Sequence, residues 1–115
     1  MDINIVIIGV GEVGYNLTRS LSKSDFEITA IDIDPQKCNR VKENIDAKVL
    51  EGDGCSQRLL QQIDMQKVDY LLALTRVDEV NLVACRIARK MGAKNIICRL
   101  RNTEYQHKNA VIINQ

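Results

Sequence analysis

The sequence predicts a doubly wound α/β fold: a mainly parallel sheet of about six strands with helices on both faces. Three observations carry that expectation. Short β-branched runs alternate with stretches of helical period along the whole chain. Turn signals separate them at Gly9, Asp34-Pro35, Gly52-Asp53-Gly54 and Gly92. Finally, 115 residues suffice for one such domain and no second one. A chain of this length buries roughly two thirds of its unfolded surface, enough for a core without metals or disulfides.

The elements follow in order. Ile3 to Ile8 is a β-branched run of the kind found in strands buried on both faces. From Glu12 to Ser24, Val13, Leu17 and Leu21 recur every four residues as a helix stripe. Glu27 to Asp32 reads as a second strand. Asp34-Pro35 then reads as an N-cap with proline at the first helical position, and Cys38, Val41 and Ile45 form that helix's inner face. Ala47 to Leu50 is a short strand, and a helix bearing Leu59, Leu60 and Ile63 follows the glycine turn. Val68 to Leu74 is a fourth buried strand.

Asp78 to Met91 is the most regular helix. Val80, Val83, Ala84, Ile87, Ala88 and Met91 form its inner stripe, Asp78 caps its start and Gly92 stops it in the left-handed conformation. On that phase Leu82 and Cys85 project toward water, which predicts self-association through them. Ile96 to Leu100 is a fifth strand. Thr103 to Gln106 has capping-box spacing for one helical turn, and Val111 to Ile113 is a sixth strand.

Composition removes several classes of function. Lys and Arg (16) nearly cancel Asp and Glu (15), so the net charge of +1 supplies no drive toward nucleic acid or anionic lipid. With no Trp, one Phe and three Tyr, the chain offers no stacking platform for single strands. The apolar run from Ile5 to Gly11 is far too short to insert in a membrane. Cys38, Cys55, Cys85 and Cys98 form no C-x-x-C pair, and His107 is the only histidine. Neither a zinc site nor a disulfide framework follows, so reduced thiols in a cytoplasmic protein are expected.

Gly9-Val10-Gly11-Glu12-Val13-Gly14 is a G-x-G-x-x-G placed between the first strand and the first helix. In that setting Gly9 makes the tight turn, Gly11 lets a pyrophosphate approach and Gly14 seats the helix on the sheet. The helix N-terminus then offers its unpaired N–H groups to the phosphates. Asp32 closes the second strand, where a carboxylate binds adenosine ribose hydroxyls and repels a 2′-phosphate, favouring NAD over NADP. Asp34 either shares that ribose or caps the next helix. Asp53 either takes an adenine amino group or caps its own turn. Leu74-Thr75 ends the fourth strand, facing the phosphates and inner ribose. Arg99 lies in a strand that otherwise reads as fully buried, so it calls for a phosphate or a neighbouring carboxylate.

These features occur together with Asp78-Glu79-Val80-Asn81-Leu82 and with Ile96-Ile97-Cys98-Arg99 ahead of Asn102-Thr103-Glu104-Tyr105. The combination resembles the nucleotide-binding N-lobe of the Trk potassium uptake peripheral proteins, also called the KTN or RCK N-terminal domain. The resemblance covers nearly the whole chain and implies a Rossmann-like regulatory domain, not an enzyme. It implies NAD(H) as ligand, with ATP or ADP in some members, held by Gly9 through Gly14, Asp32, Asp53, Leu74, Thr75 and Arg99. It also implies a homo-oligomer, dimer or tetramer, at the cytoplasmic face of a membrane-embedded potassium transporter or channel. Members usually continue into a second lobe, so residues 1–115 are expected to be one domain excised from a longer chain. The alternative is the cofactor half of an NAD-dependent dehydrogenase. A methyltransferase fits less well, because its pattern wants glycine where Val13 stands.

Overall fold

β1 (Ile3–Ile8), β2 (Phe26–Asp32), β3 (Lys48–Glu51), β4 (Tyr70–Ala73) and β5 (Asn95–Cys98) form one sheet in the computed structural model, which describes residues 2–106. All pairs are parallel, and the order is β3-β2-β1-β4-β5. β1 is central because its side chains are apolar on both faces, and every one from Ile5 onward is buried. Ile5 and Ile7 join Ile28, Ala30, Tyr15 and Val41 beneath α1 (Glu12–Leu21) and α2 (Pro35–Asn44). Val6 and Ile8 join Ile31, Leu71, Leu60 and Ala84 beneath α3 (Gln57–Leu60) and α4 (Asp78–Met91).

Local signals account for most boundaries. The Asp34 carboxylate accepts the Gln36 N–H at the start of α2, with Pro35 behind it. Cys38, Val41 and Ile45 are buried, as their spacing predicts. Gly92 ends α4 at φ +108°. The chain leaves β1 toward β2 and β3, then returns across the sheet to β4 and β5. The strand order therefore reverses between β1 and β4, which opens a crevice at their carboxyl ends.

Two helices sit differently from the sequence-based expectation. In α1 the buried residues are Gly14, Tyr15 and Thr18, and Val13 is 49% exposed. In α4 the buried face carries Asn81, Leu82, Ala84, Cys85 and Ala88, whereas Val83 is 43% exposed. Counting apolar residues fails there because a polar residue, Asn81, belongs to the inner face. Leu82 and Cys85 are therefore core residues, and the self-association surface expected through them does not exist. The expected sixth strand, Val111 to Ile113, lies outside the described residues. No helix among the described residues is long and apolar enough to cross a membrane. α5 (Thr103–Gln106) is a single turn, with Asn102 accepting the Glu104 N–H at its start.

Candidate functional site

The crevice at the strand reversal is a cleft of about 420 Å³. Gly9 turns the chain out of β1 at φ +95°, and a Cβ there would lie 2.7 Å from the Thr75 nitrogen. Only glycine permits both the dihedral and the approach of the β4 loop. A Cβ on Gly14 would collide with the Gly9 carbonyl oxygen, so α1 seats on the loop at glycine distance. Gly11 is different: a Cβ there would meet one atom, the Lys37 Nζ at 3.9 Å. It is the N-cap of α1 and provides no side-chain cap. The first-turn N–H groups are left for water or a ligand.

Asp32 ties this loop to β2. One carboxylate oxygen accepts the Val10 N–H at 2.8 Å and the other accepts the Asp34 N–H at 2.9 Å. Each oxygen keeps a second lone-pair direction for a hydroxyl donor. Asp34 itself acts as the helix cap and does not line the cleft. Asp53 takes the turn-capping role that the sequence allowed and also stands in the cleft wall. It shapes its turn by accepting the Cys55 S–H and N–H, each at 3.0 Å, and it lines the cleft. Those bonds, the thiol's first, hold its carboxyl below the usual carboxylate range. The same carboxylate pushes the Cys55 thiol up, so Cys55 is no activated nucleophile.

On the opposite wall Leu74 and Thr75 follow β4, and a residue the sequence reading left without a role organises them. Asn81 is fully buried. Its Oδ1 accepts the Thr75 N–H at 3.0 Å and the Thr75 hydroxyl at 2.7 Å. Its Nδ2 donates to the carbonyls of Thr75 at 3.1 Å and Arg99 at 2.9 Å. One side chain thus fastens the loops after β4 and β5 to α4. An Asn inside an otherwise apolar helix face is the signal that could have revealed it.

Arg99 does not sit in a fully buried strand. β5 is an edge strand that ends at Cys98, with alternate residues exposed, so the burial argument for an anionic partner fails. The half-buried guanidinium reaches the Leu74 carbonyl at 3.4 Å and lines the cleft. Asp78 is not the expected N-cap; that position is Val77. The Asp78 carboxylate instead accepts the Arg101 and Asn102 N–H groups at 2.9 and 2.7 Å, which holds it below its ordinary pKa.

The cleft therefore gathers Gly9, Gly11, Glu12, Val13, Asp32, Asp53, Leu74, Thr75 and Arg99. Val10 and Gly14 lie behind its wall, one buried in the core and the other under the loop. Val13, Ile33 and Val77 are exposed apolar side chains at its surface, suited to a planar ring. Among the described residues no group of His, Cys, Asp and Glu could hold a metal ion.

Residues 5–112 match the family model of the TrkA-N domain. The chain belongs to the TrkA-N family. This TrkA-N domain is 40% identical over 101 residues to a Trk system potassium uptake protein TrkA homolog of Archaeoglobus fulgidus. The match covers 88% of this chain and 23% of that protein, so the domain spans about a quarter of its relative's length. The fold is shared with the NAD(P)-binding domain of an exopolyphosphatase-related protein from Archaeoglobus fulgidus. That match has a TM-score of 0.79 at 19% identity, covering 95% of this chain and 86% of the other. It is shared also with the GsuK channel bound to NAD, at a TM-score of 0.68 and 16% identity, over 84% of this chain and 21% of the channel.

Proposed function

We propose that this TrkA-N domain is a nucleotide-sensing regulatory domain that binds NAD(H) in the cleft, rather than an enzyme. One observation carries the reading: an uncapped helix N-terminus and a strand-ending carboxylate, Asp32, face one cleft across the glycine loop. A diphosphate sits over the first turn of α1, where N–H groups and the helix dipole favour an anion. The adenosine ribose donates its hydroxyls to Asp32. Asp53 faces the adenine amino group, and the second ribose lies along Leu74 and Thr75 near Arg99. The cleft lining thus offers an open helix N-terminus, a ribose acceptor and exposed apolar side chains, the three features a dinucleotide needs. ATP or ADP would use the same adenosine and phosphate contacts.

A regulatory role fits the engagement of Asp32 and Asp53 by N–H groups, which leaves neither as an evident acid–base catalyst. It also fits relatives named as potassium uptake proteins. The domain would act as a homo-oligomer on the cytoplasmic side of a membrane-embedded potassium transporter or channel. Ligand contacts on Thr75 and Arg99 reach α4 through Asn81, and they bias assembly only by differing between two arrangements. Isothermal titration with NADH, NADPH, ADP, ATP and S-adenosylmethionine tests this reading. NADH binding tighter than NADPH binding is expected, because Asp32 repels a 2′-phosphate. Equal affinity for the two, or tighter binding of S-adenosylmethionine, overturns it.

A further inference from the structure

We infer that Lys37 is a ligand of the diphosphate group, a charged contact that lies outside the glycine fingerprint; the inference rests on the nucleotide reading above. Lys37 belongs to the first turn of α2, and its backbone position is set by the Asp34 cap and Pro35. From there its side chain crosses to the other helix. The Nζ lies 3.9 Å from where a Cβ on Gly11 would stand, over the start of α1. It lines the same cleft as Gly9, Gly11 and Asp32.

Two positive features thus converge on one point: an ammonium and the N-terminal end of a helix dipole. In isolation that approach is unfavourable, since a helix N-terminus stabilises anions and not cations. Lys37 makes no ion pair among the described residues. Of the acids that line the cleft, Glu12 in the first turn of α1 and Asp53 form no ion pair with Lys37, and Asp32 already accepts the Val10 and Asp34 N–H groups. An anion seated over Gly11 satisfies the ammonium and the helix terminus together, and a phosphate is the anion this cleft is shaped for.

The position also selects among phosphates. Lys37 Nζ stands over Gly11, the glycine whose missing side chain leaves room for a pyrophosphate. A 2′-phosphate would have to replace the ribose hydroxyl at the Asp32 carboxylate itself. Lys37 therefore makes the cleft prefer ADP-containing ligands over adenosine, without favouring NADP(H). Sequence inspection passes over it because a lysine in a helix first turn has the appearance of a solvated surface residue.

The test is titration of Lys37→Gln and Lys37→Arg against adenosine, ADP, NADH and NADPH at low and high salt. Losing one charge-assisted contact at a half-exposed site should weaken ADP and NADH about tenfold. Adenosine affinity should not change, and Lys37→Arg should retain most of the wild-type affinity. Raising ionic strength from about 0.05 to about 0.5 M should shrink the gap between wild type and Lys37→Gln. An unchanged urea midpoint would show that Lys37→Gln is folded. If wild type binds ADP and NADH and Lys37→Gln binds them equally well, Lys37 is no ligand. Equal losses for adenosine and ADP, or a loss confined to NADPH, also overturn the assignment. A wild type that binds no adenine nucleotide overturns the functional reading beneath it.

Discussion

Replacing Asn81 by leucine tests whether one buried amide holds the far wall of the cleft. The change keeps the branched four-atom shape of the side chain and leaves no void, although the bulkier methyl groups add some crowding at this fully buried site to the loss of hydrogen bonds. Four bonds disappear, two accepted from Thr75 and two donated to the carbonyls of Thr75 and Arg99. At about 1 kcal/mol net for each, the ceiling is about 4 kcal/mol. Thr75 and Arg99 are only half-buried, so water recovers part of the loss and about 2–3 kcal/mol is expected. That is a large share of the stability of a domain this size. Urea denaturation followed by circular dichroism measures it, as a lower midpoint with little change in slope. NADH affinity should fall as well, because Thr75 and Arg99 lose their common anchor. Asn81→Asp should be at least as harmful, since it aims an oxygen at two carbonyl oxygens. A leucine variant that unfolds at the wild-type midpoint and binds NADH normally would refute the reasoning.

Other substitutions separate binding from folding. Gly11→Val should leave the circular dichroism spectrum intact, since a Cβ there meets only Lys37 Nζ at 3.9 Å, yet should abolish NADH binding by filling the phosphate's approach. Retained affinity would show that the loop is only a turn. Asp32→Ala should narrow the NADH-over-NADPH preference and lower stability by about 1–2 kcal/mol, because the Val10 and Asp34 N–H groups lose their acceptor. Titration and urea unfolding read the two effects separately. Asp78 carries a depressed folded-state pKa, so its contribution is present above its unfolded value of about 3.9 and lost as pH falls toward the folded value. Asp78→Asn should therefore flatten the fall in stability below about pH 5, and an unchanged acid limb would contradict that account.

What was legible in the sequence follows from where burial speaks plainly. β1 is apolar on both faces and therefore reads directly as a central strand; Pro35 and Gly92 mark helix ends through backbone constraints that need no tertiary context. The glycine loop and Asp32 are legible because each residue has a steric or bonding task at a fixed offset. The phase of α4 was hidden because its buried face includes Asn81, whose partners lie six and eighteen residues away. Val13 misled because it borders the cleft, where an apolar side chain stays exposed in the absence of a covering element. Arg99 misled because the edge position of β5 depends on sheet order, which no local pattern encodes. Lys37 was invisible since its partner surface belongs to another helix.

The place of β1 between β2 and β4 also sets a schedule for synthesis. Its first neighbour, Phe26–Asp32, follows closely in the chain, but its second, Tyr70–Ala73, pairs Ile5 with Tyr70. At about 5–20 residues per second, a ribosome needs about 3–13 s to make the intervening stretch. During that interval the most apolar strand of the domain lacks a partner on at least one edge, the condition under which nascent chains pair with one another. Substitutions that delay docking of β4 would thus lower the yield of folded protein more than they lower its stability once folded.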